Sequence, residues 1–214
     1  MEVKFYAWGK RACFSTPLIS PNRMSYPIIT PPSIRYLMGA IHAKPEQRWI
    51  PVRLRVLKMG TTLSLRTNEV TKVLGKSLES INTSDCRAQR NSLILCDVAY
   101  EITAESLLVK ERTHGGDANV CYAEQFNRNL KSGRLFRTPY FGCREFTANV
   151  SLEQPFEQEC FMTTYMGGMI LENECRSGKH HRDFFECSIN NGVVDFPVQQ
   201  IKNFWRDANV IGIV

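Results

Sequence analysis

The sequence contains no apolar run near 18 residues, no CxxC pair, no internal repeat and no low-complexity tract. The first absence excludes a membrane-spanning helix, and the opening MEVKFYAWGKR, charged at Glu2 and Lys4, does not read as a secretory leader. A soluble, cytoplasmic protein with no membrane partner is expected. Eight cysteines (Cys13, Cys86, Cys96, Cys121, Cys143, Cys160, Cys175 and Cys187) lie far apart in a chain of 214 residues that is 43% hydrophobic. A chain of that size builds a core without staples, so these read as reduced thiols. Cys175, His180, His181 and Cys187 fit no zinc spacing, and neither a metal nor another cofactor is expected. A Walker-type phosphate loop, GxSxG and HExxH are also missing, which removes nucleotide hydrolysis and serine or zinc hydrolysis. Acid is scarce at one end: residues 1–75 hold 12 Lys/Arg against 3 Asp/Glu, whereas residues 76–214 hold 15 against 18. A split of +9 and −3 points to a polyanion-facing surface. No basic amphipathic helix or lipidation signal accompanies it, which favours nucleic acid over an anionic membrane.

What is present reads as alternating strands and helices. Val3, Phe5 and Ala7 alternate with Lys4, Tyr6 and Trp8, as a half-buried strand requires. Thr30 followed by Pro31 signals a helix start, and Ile34, Leu37, Met38 and Ile41 then recur at helical spacing up to Lys44-Pro45. Arg48–Leu57 alternates again, with Ile50, Val52, Leu54 and Val56 on the core side, and Thr61–Arg66 keeps strand composition. Residues 71–88 lose periodicity and read as an exposed loop or hairpin tip. Ser92–Leu108 returns to strand composition. A second helix is expected over Asn119–Leu130, capped by Asn119, with Tyr122, Phe126 and Leu130 on one face and Gly133 as its stop. Further strands are expected over Thr138–Leu152, Tyr165–Leu171, Phe184–Ile189 and Val193–Phe196, the last two flanking the turn Asn190-Asn191-Gly192. The fold class is α+β. A ferredoxin-like (RRM-like) βαββαβ domain over residues 1–150 precedes a small antiparallel β-rich subdomain over residues 151–214.

Basic and aromatic residues interleave in two stretches, Arg23–Lys72 and the acid-free Arg128–Arg144. There Arg and Lys can hold phosphates while Tyr36, Trp49, Phe136, Tyr140 and Phe141 either stack on unpaired bases or fill the core. The literal aromatic string of an RRM is absent. His42 falls at the end of the first helix beside Lys44 and Arg48. Surrounding cations favour its neutral, proton-accepting form, which suits metal-free RNA cleavage.

The strings SYPIITPPSIRYLMGAIHAKPEQRWIPVRLRVLKMGTTLSLRTNEV (Ser25–Val70), QRNSLILCDVAYEI (Gln89–Ile102), FNRNLKSGRLFRTPYFGCREF (Phe126–Phe146) and NNGVVDFP (Asn190–Pro197) resemble, in order, the signature segments of the CRISPR-associated Cas-five family in its subtype I-C form. That resemblance implies a RAMP protein with a ferredoxin-like domain and a β-sheet extension. It further implies a subunit that cuts the repeat hairpin of precursor crRNA without metal, keeps the 5′ handle, and caps Cascade beside the large subunit and the Cas-seven backbone. Target DNA near the PAM is a further partner the resemblance leaves open.

The family tyrosine of IYWKP falls on His42, and the following tryptophan on Ala43. The family's Lys-His pair falls on Cys121-Tyr122. One imidazole and one phenol are kept with their positions exchanged, so His42 and Tyr122 are the acid/base candidates. The cation is lost at Cys121, and Lys44, Arg23 or another nearby cation is left to substitute for it. Expected RNA contacts are Arg23, Arg35, Arg66, Asn68, Arg90, Arg128, Lys131, Arg137 and Arg144. The competing reading is a non-catalytic structural cap that holds a handle made by another nuclease.

Overall fold

The computed structural model describes residues 1–19, 22–71, 82–109, 118–157, 166–176 and 179–210. Most of the expected 71–88 loop, the side chain of Asn119 as helix cap and those of Cys175 and His180 lie outside the described residues.

The strand β1 (Glu2–Ala12) buries Val3, Phe5 and Ala7 on one side, as the alternation requires. After the two-residue strand β2 (Arg23–Met24), Thr30 takes the N-cap position of the helix α1 (Pro31–Ile41) without a side-chain cap bond, its hydroxyl pairing with that of Ser33 at 2.9 Å, and proline stands in the first turn where no backbone N–H is missed. Its Ile34, Leu37, Met38 and Ile41 are buried. Next come β3 (Gln47–Lys58), β4 (Thr61–Val70) and the 22-residue β5 (Arg87–Leu108), followed by the helix α2 (Ala118–Ser132). The short strand β6 (Asn149–Ser151) closes this series. The antiparallel path runs β6-β1-β5-β3, and α1 and α2 both contact its strands. Phe126 of α2 sits with its ring 5.3 Å from Phe5 and 5.1 Å from Trp49, both edge-on. Each such pair adds about 0.5–1.5 kcal/mol beyond simple burial.

Register shows that β3 and β4 run along one edge of β5 as a single interrupted strand. Gln47 to Lys58 face Leu108 to Ala99, and Thr61 to Val70 continue opposite Cys96 to Arg87. The interruption is Met59-Gly60, opposite Asp97 (φ 57). Gly60 has φ 76, and a Cβ there would collide with the Cys96 carbonyl, so only glycine fits this break. Beyond it, β4 and the first half of β5 form a two-stranded arm, with β2 pairing parallel to β5 at its root.

Strand was expected throughout Thr138–Leu152, but only Asn149–Ser151 is strand. Pro139–Ala148 instead closes on itself through Phe141 N–H to Phe146 O (2.8 Å) and Ala148 N–H to Pro139 O (3.0 Å). Gly142 makes this loop, because its φ is 77 and a side chain would strike the Cys13 carbonyl.

In the C-terminal third, β7 (Met166–Arg176) and β8 (Lys179–Ser188) pair as a separate hairpin. Asn191 (φ 50) and Gly192 (φ 76) make the expected turn, closed by the single bridge Asn190–Val193, yet the following β9 (Val193–Asp195) pairs with β3 and not with β8. The free edge of β3 offers it a longer ladder, with Val56 N–H to Gly192 O at 2.7 Å and Phe196 N–H to Val52 O at 2.9 Å. The helix α3 (Val198–Val210) was not expected from the sequence. It buries Ile201 and Trp205 against β3 and β7, and its apolar spacing (Val198, Ile201, Trp205) is the signal that would have found it. Met169, Leu171 and Trp205 belong to the same hydrophobic cluster as Phe5 and Phe126.

Candidate functional site

His42 directly follows α1, in extended conformation, and its N–H still bonds to Met38 O at 2.9 Å. Its carbonyl accepts the Trp49 indole N–H at 3.0 Å, so the backbone that carries the imidazole is held from both ends. The residue is only 7% exposed, yet it lines two cavities. One, of about 200 Å³, is lined by Arg35, Tyr36, Arg48, Arg137 and Trp205. The other, of about 450 Å³, is lined by Arg128, Asn129, Arg134 and Phe136, and Lys44 borders both. Nε2 of His42 is buried with no hydrogen-bond partner among the described residues. Burial lowers the His42 pKa below the ordinary 6.5, Lys44 and Arg128 lower it further, and Glu46 opposes them. The imidazole is thus held neutral and able to take a proton near pH 7.

Tyr122 stands behind that ring, centroid to centroid 5.9 Å, and is itself buried. Its hydroxyl donates to Glu46 Oε1 at 2.7 Å, so the phenolic proton is engaged inside the protein. Glu46 was not singled out in the sequence, although it lies only four positions beyond His42. Cys121 is half-buried and its sulfur accepts from the Gln125 amide at 3.2 Å.

The nominated RNA contacts divide by where their charge goes. Arg128, Lys131, Arg137 and Arg144, like the candidate substitute cation Lys44, are exposed and form no ion pair among the described residues. Arg134, which was not nominated, shares both properties and faces the larger cavity. On the arm, Arg23 pairs with Glu69 (3.4 Å) and Glu145 (3.1 Å), and Arg90 pairs with the same Glu69 at 2.8 Å. Arg66 donates to Asn91 at 3.1 Å, and Asn68 is exposed opposite Gln89. These residues lie on β2, β4 and the first half of β5, away from the α1–β3 connection that carries His42. Arg35 turns inward, its guanidinium 3.3 Å from the fully buried Glu172 and within 4.8 Å of the Trp205 ring centre. Of the aromatics, Trp49 and Phe141 are core residues, while Tyr36 (43%) and Phe136 (72%) are exposed beside the unpaired cations.

Residues 2–159 match the family described as CRISPR-associated protein (Cas_Cas5), in its Cas5d form. A relative from Thermus thermophilus, named CRISPR pre-crRNA endoribonuclease Cas5d, is 44% identical over 96% of this chain and 95% of its own length. The chain belongs to the Cas5 family. Its type is I-C, and a second Cas5d of the same name from Mannheimia succiniciproducens is 33% identical over 92% of this chain and 95% of its own. Two crystal structures share the fold seen here at 18% identity. One is a CRISPR-associated protein (TM-score 0.66, 94% of this chain and 93% of that one). The other is the uncharacterized SMU1763c of Streptococcus mutans (TM-score 0.65, 94% of each chain). A chain of a CRISPR RNA-guided surveillance complex superposes at TM-score 0.52, with 11% identity, over 96% of this chain and the whole of its own. No helix among the described residues is long and apolar enough to cross a membrane.

Proposed function

We propose that this Cas5 protein is an endoribonuclease that cuts precursor crRNA at the repeat hairpin without metal and keeps the 5′ handle within type I-C Cascade. One observation carries the reading: His42, its imidazole poised neutral, lines two cavities that are also lined by Lys44, Arg128, Arg134 and Arg137, all without carboxylate partners among the described residues. Cations already neutralised inside a protein gain little from a phosphate. Unpaired ones release counterions and bind it. The curated relatives named pre-crRNA endoribonucleases support the same activity.

In this reading His42 takes the proton of a 2′-hydroxyl, and the 2′-oxygen attacks the adjacent phosphorus. The bond to the 5′-oxygen breaks, leaving a 2′,3′-cyclic phosphate. Lys44, with Arg128, offsets the charge that builds on the phosphorane in place of the family lysine, and the exposed Lys44 ammonium supplies the leaving oxygen's proton. Tyr122, buried with its proton on Glu46, acts through the imidazole it backs.

The sheet order β6-β1-β5-β3 with two crossing helices supports a ferredoxin-like domain, here over residues 1–150, with residues 151–214 as its β-rich extension. The likeness to a surveillance-complex chain supports a place at the end of Cascade, beside the Cas-seven backbone and the large subunit. The second reading, a non-catalytic cap on the handle, is favoured by the thiol of Cys121 where the family has lysine.

Incubating the purified protein with a labelled type I-C repeat hairpin RNA in EDTA separates the two. A single cut at the 3′ base of the stem with a cyclic-phosphate end is expected, and tight binding with no cut would leave only the cap. The single-turnover rate is further expected to fall as pH drops through a value below 6.5, since the base must be neutral and its pKa is depressed. Lys44→Ala removes a depressing charge and should move that limb upward, and an acid limb at or above the ordinary histidine value in the native protein would contradict the burial argument.

A further inference from the structure

We infer that Phe136 is a stacking platform for one unpaired nucleobase of the RNA strand that crosses His42, with Arg128 and Arg134 holding the phosphates beside that base. This rests on the endoribonuclease reading for the path of the RNA, but it concerns binding and is readable without cleavage.

Phe136 is 72% exposed, the most exposed aromatic among the described core-forming types, and it borders the cavity of about 450 Å³ that His42 also borders. Exposing a phenyl ring is unfavourable, and the backbone that carries it cannot withdraw it, because the segment is tied down on both sides. Before it, Gly133 takes φ 66 past the end of α2, and Arg134 N–H bonds to Asn129 O at 3.0 Å. After it, Arg137 N–H bonds to Ala40 O in the last turn of α1 at 3.0 Å. The loop between these anchors therefore presents the ring on a fixed backbone, one residue before Arg137, which bonds to the carbonyl two positions ahead of His42. Leu135, 37% exposed, adds a second apolar surface to the same rim.

The occupant follows from charge. Arg128, Arg134 and Lys44 line the same cavity as Phe136 without an acid partner among the described residues, so an apolar protein side chain would have to bring its own acids to compensate them. A nucleotide brings both parts, a flat base for the ring and an anion for the guanidinium groups. A base-paired nucleotide has its faces stacked already, so the site takes an unpaired base flanking the hairpin stem.

The test uses the full-length protein and a type I-C repeat hairpin RNA made uncleavable by a 2′-deoxy residue at the cut, with 2-aminopurine placed singly at each unpaired position flanking the stem. Binding should quench one position strongly. Phe136→Ala should abolish that quench and weaken affinity roughly tenfold to a hundredfold, while Phe136→Trp keeps both. The salt slope of binding should stay unchanged in Phe136→Ala and fall by about one in Arg134→Ala, because only the latter removes a phosphate contact. Unchanged quenching and affinity in Phe136→Ala overturns the inference, as does a loss shown only in association with other Cascade subunits, which would make the ring a protein contact. A wild-type protein that binds and quenches but cuts no cleavable RNA would sink the endoribonuclease reading and leave the stacking site standing. Because Phe136 is exposed, its alanine variant should melt with the native protein, which separates lost stacking from lost fold.

Discussion

Replacing His42 with alanine is expected to lower single-turnover cleavage by about 10²–10⁴-fold, the range over which a positioned general base contributes, while RNA affinity stays within about threefold. The imidazole is one of the few groups near the two cavities that can change charge near neutrality, and its backbone is fixed independently of its side chain by the Met38 and Trp49 bonds. Removing the ring therefore takes away the proton acceptor and leaves α1, β3 and the surrounding cations in place. His42 lines both cavities, so added imidazole should restore part of the rate in His42→Ala at a pH where free imidazole is neutral. A rate that does not change on substitution would remove His42 from the chemistry. A rate lost together with binding would assign it to the interface instead.

Arg35→Ala is expected to act on stability. The arginine's side chain is 13% exposed and sits 3.3 Å from Glu172, which is wholly buried, so its loss strands a carboxylate inside the protein. Breaking a buried pair from one side costs about 3–5 kcal/mol. For a chain of this size that is roughly 6–20 °C in Tm. Burial already raises the Glu172 pKa and Arg35 is the first influence that pulls it back, so the variant's carboxyl will rise further. A carboxyl raised in the folded state binds its proton more tightly there than in the unfolded chain. Its destabilising effect is absent at low pH and grows as pH climbs from the unfolded carboxylate pKa through the folded one. The stability deficit of Arg35→Ala, followed by urea titration, should thus be larger at pH 8 than at pH 5, and replacing both partners by apolar residues should recover much of it. A variant of native stability with weakened RNA binding would return Arg35 to the interface.

The strands and helices whose burial is set by their own neighbours were legible in the sequence. β1, α1 and α2 each carry a period of two or 3.6 that the structure buries as read, and β3 does so at Ile50, Leu54 and Val56, whereas Val52 falls at a register break and is only half-buried. Features that depend on distant partners were not. Val193–Asp195 reads as the second arm of a hairpin, and only the open edge of β3, some 140 positions earlier, draws it away. Likewise Arg35 and Arg128 are the same residue type in equally basic strings. Their roles separate only because the acid that meets Arg35 arrives from β7, and none among the described residues meets Arg128. His42 could be read because a helix end and its flanking cations are local, whereas the Glu46 bond to Tyr122 joins β3's approach to α2 across the fold.

The single interrupted strand that β3 and β4 make along β5 ties the arm to the body in phase. Each residue added or removed beside Met59-Gly60 would carry the whole β4 ladder one step along β5 and turn Arg66 and Asn68 to the opposite face. The distance between the arm's cations and His42 is therefore counted out in paired residues, like graduations on a ruler, with its zero mark in the core.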